Sequence, residues 1–471
     1  MADKVPSRRR REVVNPVPSG KARPMNARLK VLTLALAVLA AVGWGAEAAQ
    51  VTLDVGLGTP FLLGGKKQTT YLKVGLTGFP LEGVRRTPVN VAIVIDKSGS
   101  MSGQKIAKAR EAAIMAVGKL NAEDIVSVVA YDSTVTVLVP ATKALDRGPI
   151  ETAIRRLSAG GNTALFAGVS RGAAEVRKFL DRNRVNRVIL LSDGLANVGP
   201  DSPAELGALG ASLIKEGVAV TTIGLGGGYN EDLMTQLAQR SDGSHYFAEG
   251  ATDLARIFKG EFGDVLSVVA QEVAIKIQCA PGIRPIRVLG READIDGQTV
   301  LTTLNQLYSR QEKFVILEVE VPPTAAGRSR DVATVTVSYA NMATKTTDLL
   351  TSSVAVRFTE DPNAVAENED RKVMVAAVEM VATETNELAV KLRDKGKVKE
   401  AEELLKQNVA LLNEKAQQYD SERLKRYGVA NAQDAANLDP ANWAEQRKRM
   451  RDWQQANMMQ RAVAPRLRDE K

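Results

Sequence analysis

Asp96, Ser98 and Ser100 stand at alternate positions directly after the apolar run Val91-Ala92-Ile93-Val94-Ile95, with Gly99 between the two serines. One carboxylate and two hydroxyls alternating along a short loop can all point at one spot. Three hard oxygen groups suit Mg²⁺ better than a soft metal. Aspartate, serine and glycine also make ordinary turns, so this spacing alone does not decide between the two uses. Two later stretches add groups of the same chemistry. Gly160-Gly161-Asn162-Thr163 precedes a predicted helix, and Val188-Ile189-Leu190-Leu191-Ser192-Asp193-Gly194 is a second apolar run ending in a carboxylate. On neighbouring parallel strands Asp96 and Asp193 would repel one another unless a cation or a hydrogen-bond network compensates.

The elements that must position these residues follow from periodicity. From about Val89 the first run is aliphatic and β-branched without polar alternation, the pattern of a strand buried on both faces. A Gly-rich turn and a helix over about 103–120 follow it, which puts Asp96 at the carboxyl edge of a central strand, where open α/β sheets place their ligands. Strand and helix then alternate. A hairpin spans 125–139, with its turn at Ser133-Thr134. Helices fit 149–157 and 164–180, and another fits 202–216, with Pro203 in its first turn and Gly217 at its stop. A strand at 218–225, a helix at 231–240, an edge strand from His245 and a closing helix at 253–262 complete an α/β, doubly wound, mostly parallel sheet over residues 89–263.

Period-two strands punctuated by Pro and Gly predict an antiparallel β-sandwich over 264–358, completed by the β segment 49–88, so that the α/β domain is inserted between its strands. Residues 365–425 read as a helical hairpin. One stripe carries Val378, Val381, Leu388 and Leu392, the other Ala401, Leu405, Asn408 and Leu412, with a break at Lys395-Gly396-Lys397. The tail, 426–471, is expected to be partly helical or disordered.

The set Asp96, Ser98, Ser100, Thr163 and Asp193 resembles the metal-ion-dependent adhesion site of von Willebrand factor A domains, and none of the five departs from that pattern. The resemblance implies that the two serines and the threonine contact the ion directly or in alternation with water. It implies that the aspartates act largely through waters and that one coordination position stays open. With uncharged hydroxyls among the ligands the ion keeps net positive charge, so an Asp or Glu of a protein partner fills the open position. The expected ion is Mg²⁺, with Mn²⁺ or Ca²⁺ as substitutes. The order of β segment, A domain and sandwich is similar to that of exported bacterial proteins of the YfbK type and of inter-alpha-trypsin inhibitor heavy chains. The function expected is an exported, non-enzymatic, Mg²⁺-dependent protein-binding module of adhesion type. The alternatives are a metal-dependent hydrolase, or a structural envelope subunit whose ion only rigidifies the domain.

Composition narrows these choices. The chain has 471 residues, one histidine and one cysteine. His245 therefore cannot form the histidine-rich set of a catalytic zinc, and it reads as a packing or surface residue. Cys279 reads as a partly buried structural thiol, and no Gly-x-x-x-x-Gly-Lys-Ser/Thr phosphate loop occurs. Lys105, Lys108 and Arg110 read as the wet side of the first helix, with steering of an acidic partner toward the ion as the alternative, and Lys97 as a solvent-facing or rim residue. Residues 1–48 form a leader with a signal peptide at 25–48. Basic Met25–Lys30 precedes apolar Val31–Gly43 and the small-x-small Ala46-Glu47-Ala48. The expected location is periplasmic, cell-envelope or extracellular. The alternative is anchorage by one uncleaved N-terminal segment, which is also the only route to membrane attachment. The leader holds nine Lys or Arg against three Asp or Glu, so without it the formal charge falls from +8 to +2. A near-neutral chain has no long-range field for nucleic acid, and none is expected as a partner.

Overall fold

The computed structural model describes residues 49–82 and 85–461, together with 465 and 467; the expected leader and signal peptide lie outside the described residues. In chain order the elements are β1 (Thr52–Leu57), β2 (Phe61–Leu63), β3 (Gln68–Thr77), β4 (Val89–Asp96), α1 (Gln104–Gly118), β5 (Ile125–Tyr131), β6 (Val135–Lys143), α2 (Gly148–Arg155), α3 (Leu165–Arg177) and β7 (Val185–Ser192). There follow α4 (Pro203–Lys215), β8 (Val218–Leu225), α5 (Glu231–Arg240), β9 (His245–Ala248), α6 (Asp253–Val265) and the strands β10 (Val268–Cys279), β11 (Arg284–Leu289), β12 (Asp294–Asp296), β13 (Thr299–Tyr308), β14 (Glu312–Val321), β15 (Ser329–Asn341) and β16 (Thr347–Thr359). The helices α7 (Pro362–Glu367), α8 (Arg371–Asp394), α9 (Val398–Gln418), α10 (Glu422–Ala436) and α11 (Pro440–Met458) close the chain.

The predicted doubly wound sheet is present in the order β6-β5-β4-β7-β8-β9. All its pairings are parallel except the β5–β6 hairpin. Every residue of β4 and β7 is buried, because helices cover both faces of the sheet. One face packs Ile93, Ile95 and Ile189 against α1 and α6, and the other packs Val94, Val188 and Leu190 against α3 and α4. Helix α4 starts where its sequence signals place it. Ser202 accepts from the Glu205 backbone while Glu205 reaches back to the Ser202 amide, with Pro203 in the first turn.

Beside this sheet lie two largely antiparallel ones, β1-β3-β14-β11 and β12-β13-β10-β15-β16-β2. Strand β3 pairs along its whole length with β14, so chain segments before and after the α/β part share one sheet. The two sheets enclose a single apolar core that includes Leu72, Val74, Ile275, Leu317, Val335 and the buried Cys279.

The helical part corrects one sequence reading. Leu388, assigned to the apolar stripe of α8, is 49% exposed; the buried face is instead lined by Ala377, Ala382, Thr383, Asn386 and Ala389. Small and amide side chains let the helices approach closely, and a hydrophobic-period search passes over them. The second stripe, Ala401, Leu405, Asn408 and Leu412, is buried as expected. The tail, expected to be partly helical or disordered, folds into α10 and α11. Gln446, Lys448, Asp452, Gln454 and Asn457 of α11 are buried.

Candidate metal centre

The carboxyl ends of β4 and β7 lie side by side, and the loops that leave them carry Asp96, Ser98 and Ser100 on one side and Asp193 on the other. Asp96 is fully buried. Its Oδ1 accepts from the Ser98 amide at 2.8 Å and its Oδ2 from Ser192 Oγ at 2.6 Å. Burial raises the Asp96 carboxyl above its ordinary value, and the Asp193 charge adds to this, against the opposing hydrogen bonds from Ser192 and Ser98. Ser98 Oγ lies 3.1 Å from Ser100 Oγ, which donates to Asp193 Oδ1 at 2.7 Å. The other oxygen of Asp193 accepts from Lys105 Nζ.

Thr163 reaches the same place from a third loop. That loop is stapled to the first by Gly99 N to Gly161 O at 3.0 Å and Gly160 N to Lys97 O at 2.7 Å. Thr163 is itself held by Asn197, whose Oδ1 accepts from the Thr163 amide at 2.8 Å. A Cβ added to Gly194 would lie 3.0 Å from Thr163 Oγ1 and 3.5 Å from Ser100 Oγ. The glycine thus leaves open a space that both hydroxyls flank, and any larger residue would fill it.

The structure therefore brings together all five residues singled out from the sequence. The donor set of two carboxylates and three hydroxyls is one that a hard divalent cation fits. The Lys105 ammonium on a carboxylate with no solvent exposure marks a position that demands positive charge. Around the rim, Lys97 pairs with Asp132. Burial works against that carboxylate, but hydrogen bonds from Lys97 and Thr134 outweigh it and hold Asp132 below its ordinary value. Tyr131, fully buried, has its phenol pushed well up by burial and then by Asp96. Four contributors escaped sequence reasoning: Ser192, Asn197, Asp132 and Lys105. Only Ser192 left a signal, as a hydroxyl interrupting an otherwise aliphatic run.

The other candidates lie elsewhere. His245 is fully buried, with Nδ1 2.9 Å from Thr222 Oγ1 and Nε2 3.3 Å from Tyr229 OH. Burial, with help from Arg461 and Lys448, lowers its pKa to about 3, so it is a neutral packing residue. Cys279 is buried in the sandwich core, and burial pushes its thiol up to about 11. Among the described residues no group of three or more His, Cys, Asp or Glu is placed to hold a metal ion, and no helix is long and apolar enough to cross a membrane.

The chain matches the von Willebrand factor type A domain family over residues 90–259. It is similar to protein sll0103 of Synechocystis, at 28% identity over 278 residues, covering 56% of this chain and 65% of that protein. It is also similar to YfbK of Escherichia coli K12, at 26% identity over 229 residues, covering 48% of this chain and 40% of the relative. The chain thus spans less than two thirds of the length of either. Among solved structures, the von Willebrand factor type A protein from Catenulispora acidiphila superposes with a TM-score of 0.66 at 18% identity, over 88% of this chain and 98% of that one. This likeness is one of fold, and its coverage takes in the flanking sheets and helices.

Proposed function

We propose that the chain is an exported protein-binding module in which Asp96, Ser98, Ser100, Thr163 and Asp193 hold Mg²⁺, and the ion captures an Asp or Glu side chain of a protein partner. The observation that carries this reading is the convergence of two buried carboxylates and three hydroxyls from three separate loops, with a cation already drawn onto Asp193. Bound there, the ion would supply a Lewis-acidic position for an incoming carboxylate. The chain's own residues do the rest. Ser192 and the Ser98 amide fix Asp96, Asn197 fixes the Thr163 loop, and Leu195, 57% exposed beside Gly194, offers apolar surface to a protein ligand. Export rests on the leader pattern, and the division into an α/β domain inserted in a sandwich (49–88 with 264–358) rests on the shared β3–β14 sheet.

The test is binding of the full chain to immobilised peptides that differ only in Asp or Glu against Asn or Gln. Retention on the acidic peptides alone, lost in EDTA and in Asp96→Ala, is the expected result. Retention unaffected by either would refute the mechanism.

A further inference from the structure

Lys105 lies in the first turn of α1, and its ammonium pairs with Asp193. The pair is asymmetric: the Lys105 side chain is 37% exposed, whereas that of Asp193 has no exposure. The lysine therefore reaches into the site from the rim, and the aspartate has no water to replace it. Gly226, at a left-handed φ of +71°, lies alongside the lysine; a Cβ there would sit 3.9 Å from both Cε and Nζ of Lys105, in ordinary contact. The neighbouring basic side chains are engaged elsewhere, Lys97 with Asp132 and Lys108 with Glu111. Asp96 is satisfied by neutral donors, the Ser98 amide and Ser192 Oγ. The positive charge at the site is thus brought by Lys105 to one carboxylate.

We propose that Lys105 is a tethered competitor of the metal ion, seated on Asp193 when the metal is absent and displaced to the rim when it binds. This rests on the metal reading given above. An ammonium and a divalent cation cannot share one buried carboxylate without strong repulsion. The flexible four-carbon stem of lysine, already partly in solvent, provides the exit. The arrangement keeps the metal-free protein from burying a bare charge, at the cost of weaker metal binding.

The competitor role has a signature that a purely structural lysine lacks, because removing the charge acts in opposite directions on the two states. In the full chain, Lys105→Met is expected to melt several degrees below the wild type in EDTA. By calorimetry it should bind Mg²⁺ roughly tenfold more tightly. Lys105→Arg, which keeps the charge, should stay near the wild type in both. In the wild type itself, acylation of Lys105 by an amine reagent, read by mass spectrometry, should accelerate on adding Mg²⁺, a readout that needs no variant to fold. Unchanged or weaker Mg²⁺ affinity in Lys105→Met, or acylation indifferent to Mg²⁺ that is bound, would overturn the competitor role and leave the metal site standing. Absence of Mg²⁺ binding in both wild type and Lys105→Met would overturn the two together.

Discussion

Asp193 accepts from Ser100 and Lys105 with no solvent to fall back on, so the neutral donor and the charged one are not equivalent there. Ser100→Ala should cost only about 1 kcal/mol of stability, measured by chemical denaturation, because Ser100 is exposed and Asp193 keeps Lys105 as a donor. Its effect should fall instead on Mg²⁺ affinity. Gly194→Ala should also lower that affinity while the fold survives, since the added methyl meets two hydroxyls rather than backbone. A second prediction concerns pH. His245 has a folded pKa of about 3 against about 6.5 when unfolded, so the unfolded chain takes up a proton that the native one refuses. Its contribution is complete above about pH 6.5 and is lost as pH falls toward 3, about 2 kcal/mol between pH 7 and 5. Asp434, pushed up to about 7 by burial, works in the opposite sense, disfavouring the fold as pH rises from the ordinary carboxylate range to 7. The difference in urea midpoint between wild type and His245→Asn at the two pH values isolates the histidine, and an unchanged difference would contradict its assignment. The five candidate residues were legible because their types and order resemble a known ion site. Lys105 was not, because a lysine on a helix looks the same in sequence whether it meets water or reaches a carboxylate on a distant loop.

Helix α11 shows how a polar face can dock an element. Its buried side is built from amides and charges. Gln446 donates to Asp434 at 2.6 Å and Gln454 to Asn386 at 2.7 Å, and Trp453 stacks on Tyr427 with ring centroids 5.6 Å apart. Arg447 fastens the helix to two others, donating to Glu231 and Asp232 of α5 at 2.6 and 2.5 Å and to Asp394 of α8 at 2.9 Å. Arg447→Ala should cost about 1–2 kcal/mol, since Glu231, Asp232 and Asp394 lose a shared cation but keep Lys448, Arg451 and Trp443 as partners. Hydrogen exchange should show α11 opening before the central sheet. Simultaneous opening of both would contradict a role confined to docking. The strands and helices of the α/β part were readable because each packs an aliphatic face; β11, β12 and β13 were missed because short, Thr-rich or charged strands lack that signal.

At the scale of the molecule, Arg187 links the type A domain to the adjoining sheets. Buried in β7, it donates to Glu261 of α6 at 2.6 Å and to Thr221 at 3.0 Å, and reaches Gln306 and Tyr308 of β13. Arg187→Met should cost about 3–5 kcal/mol by leaving the buried Glu261 charge with only the Thr221 and Tyr246 hydroxyls and no cation. If the parts unfold together, differential scanning calorimetry of that variant should show one transition at lower temperature; two transitions would show that they are thermally independent. The loops that carry the proposed metal site open at the other end of β4 and β7, so these changes in the junction should leave Mg²⁺ affinity unaltered. The central claim, that five oxygen-bearing residues form a hard-cation site, is met most directly by titrating the full chain with Mg²⁺ in a calorimeter beside Asp96→Ala. The expected result is saturable binding of one ion in the wild type and none in the variant. No heat of binding up to the millimolar range, or equal binding by both proteins, would contradict it.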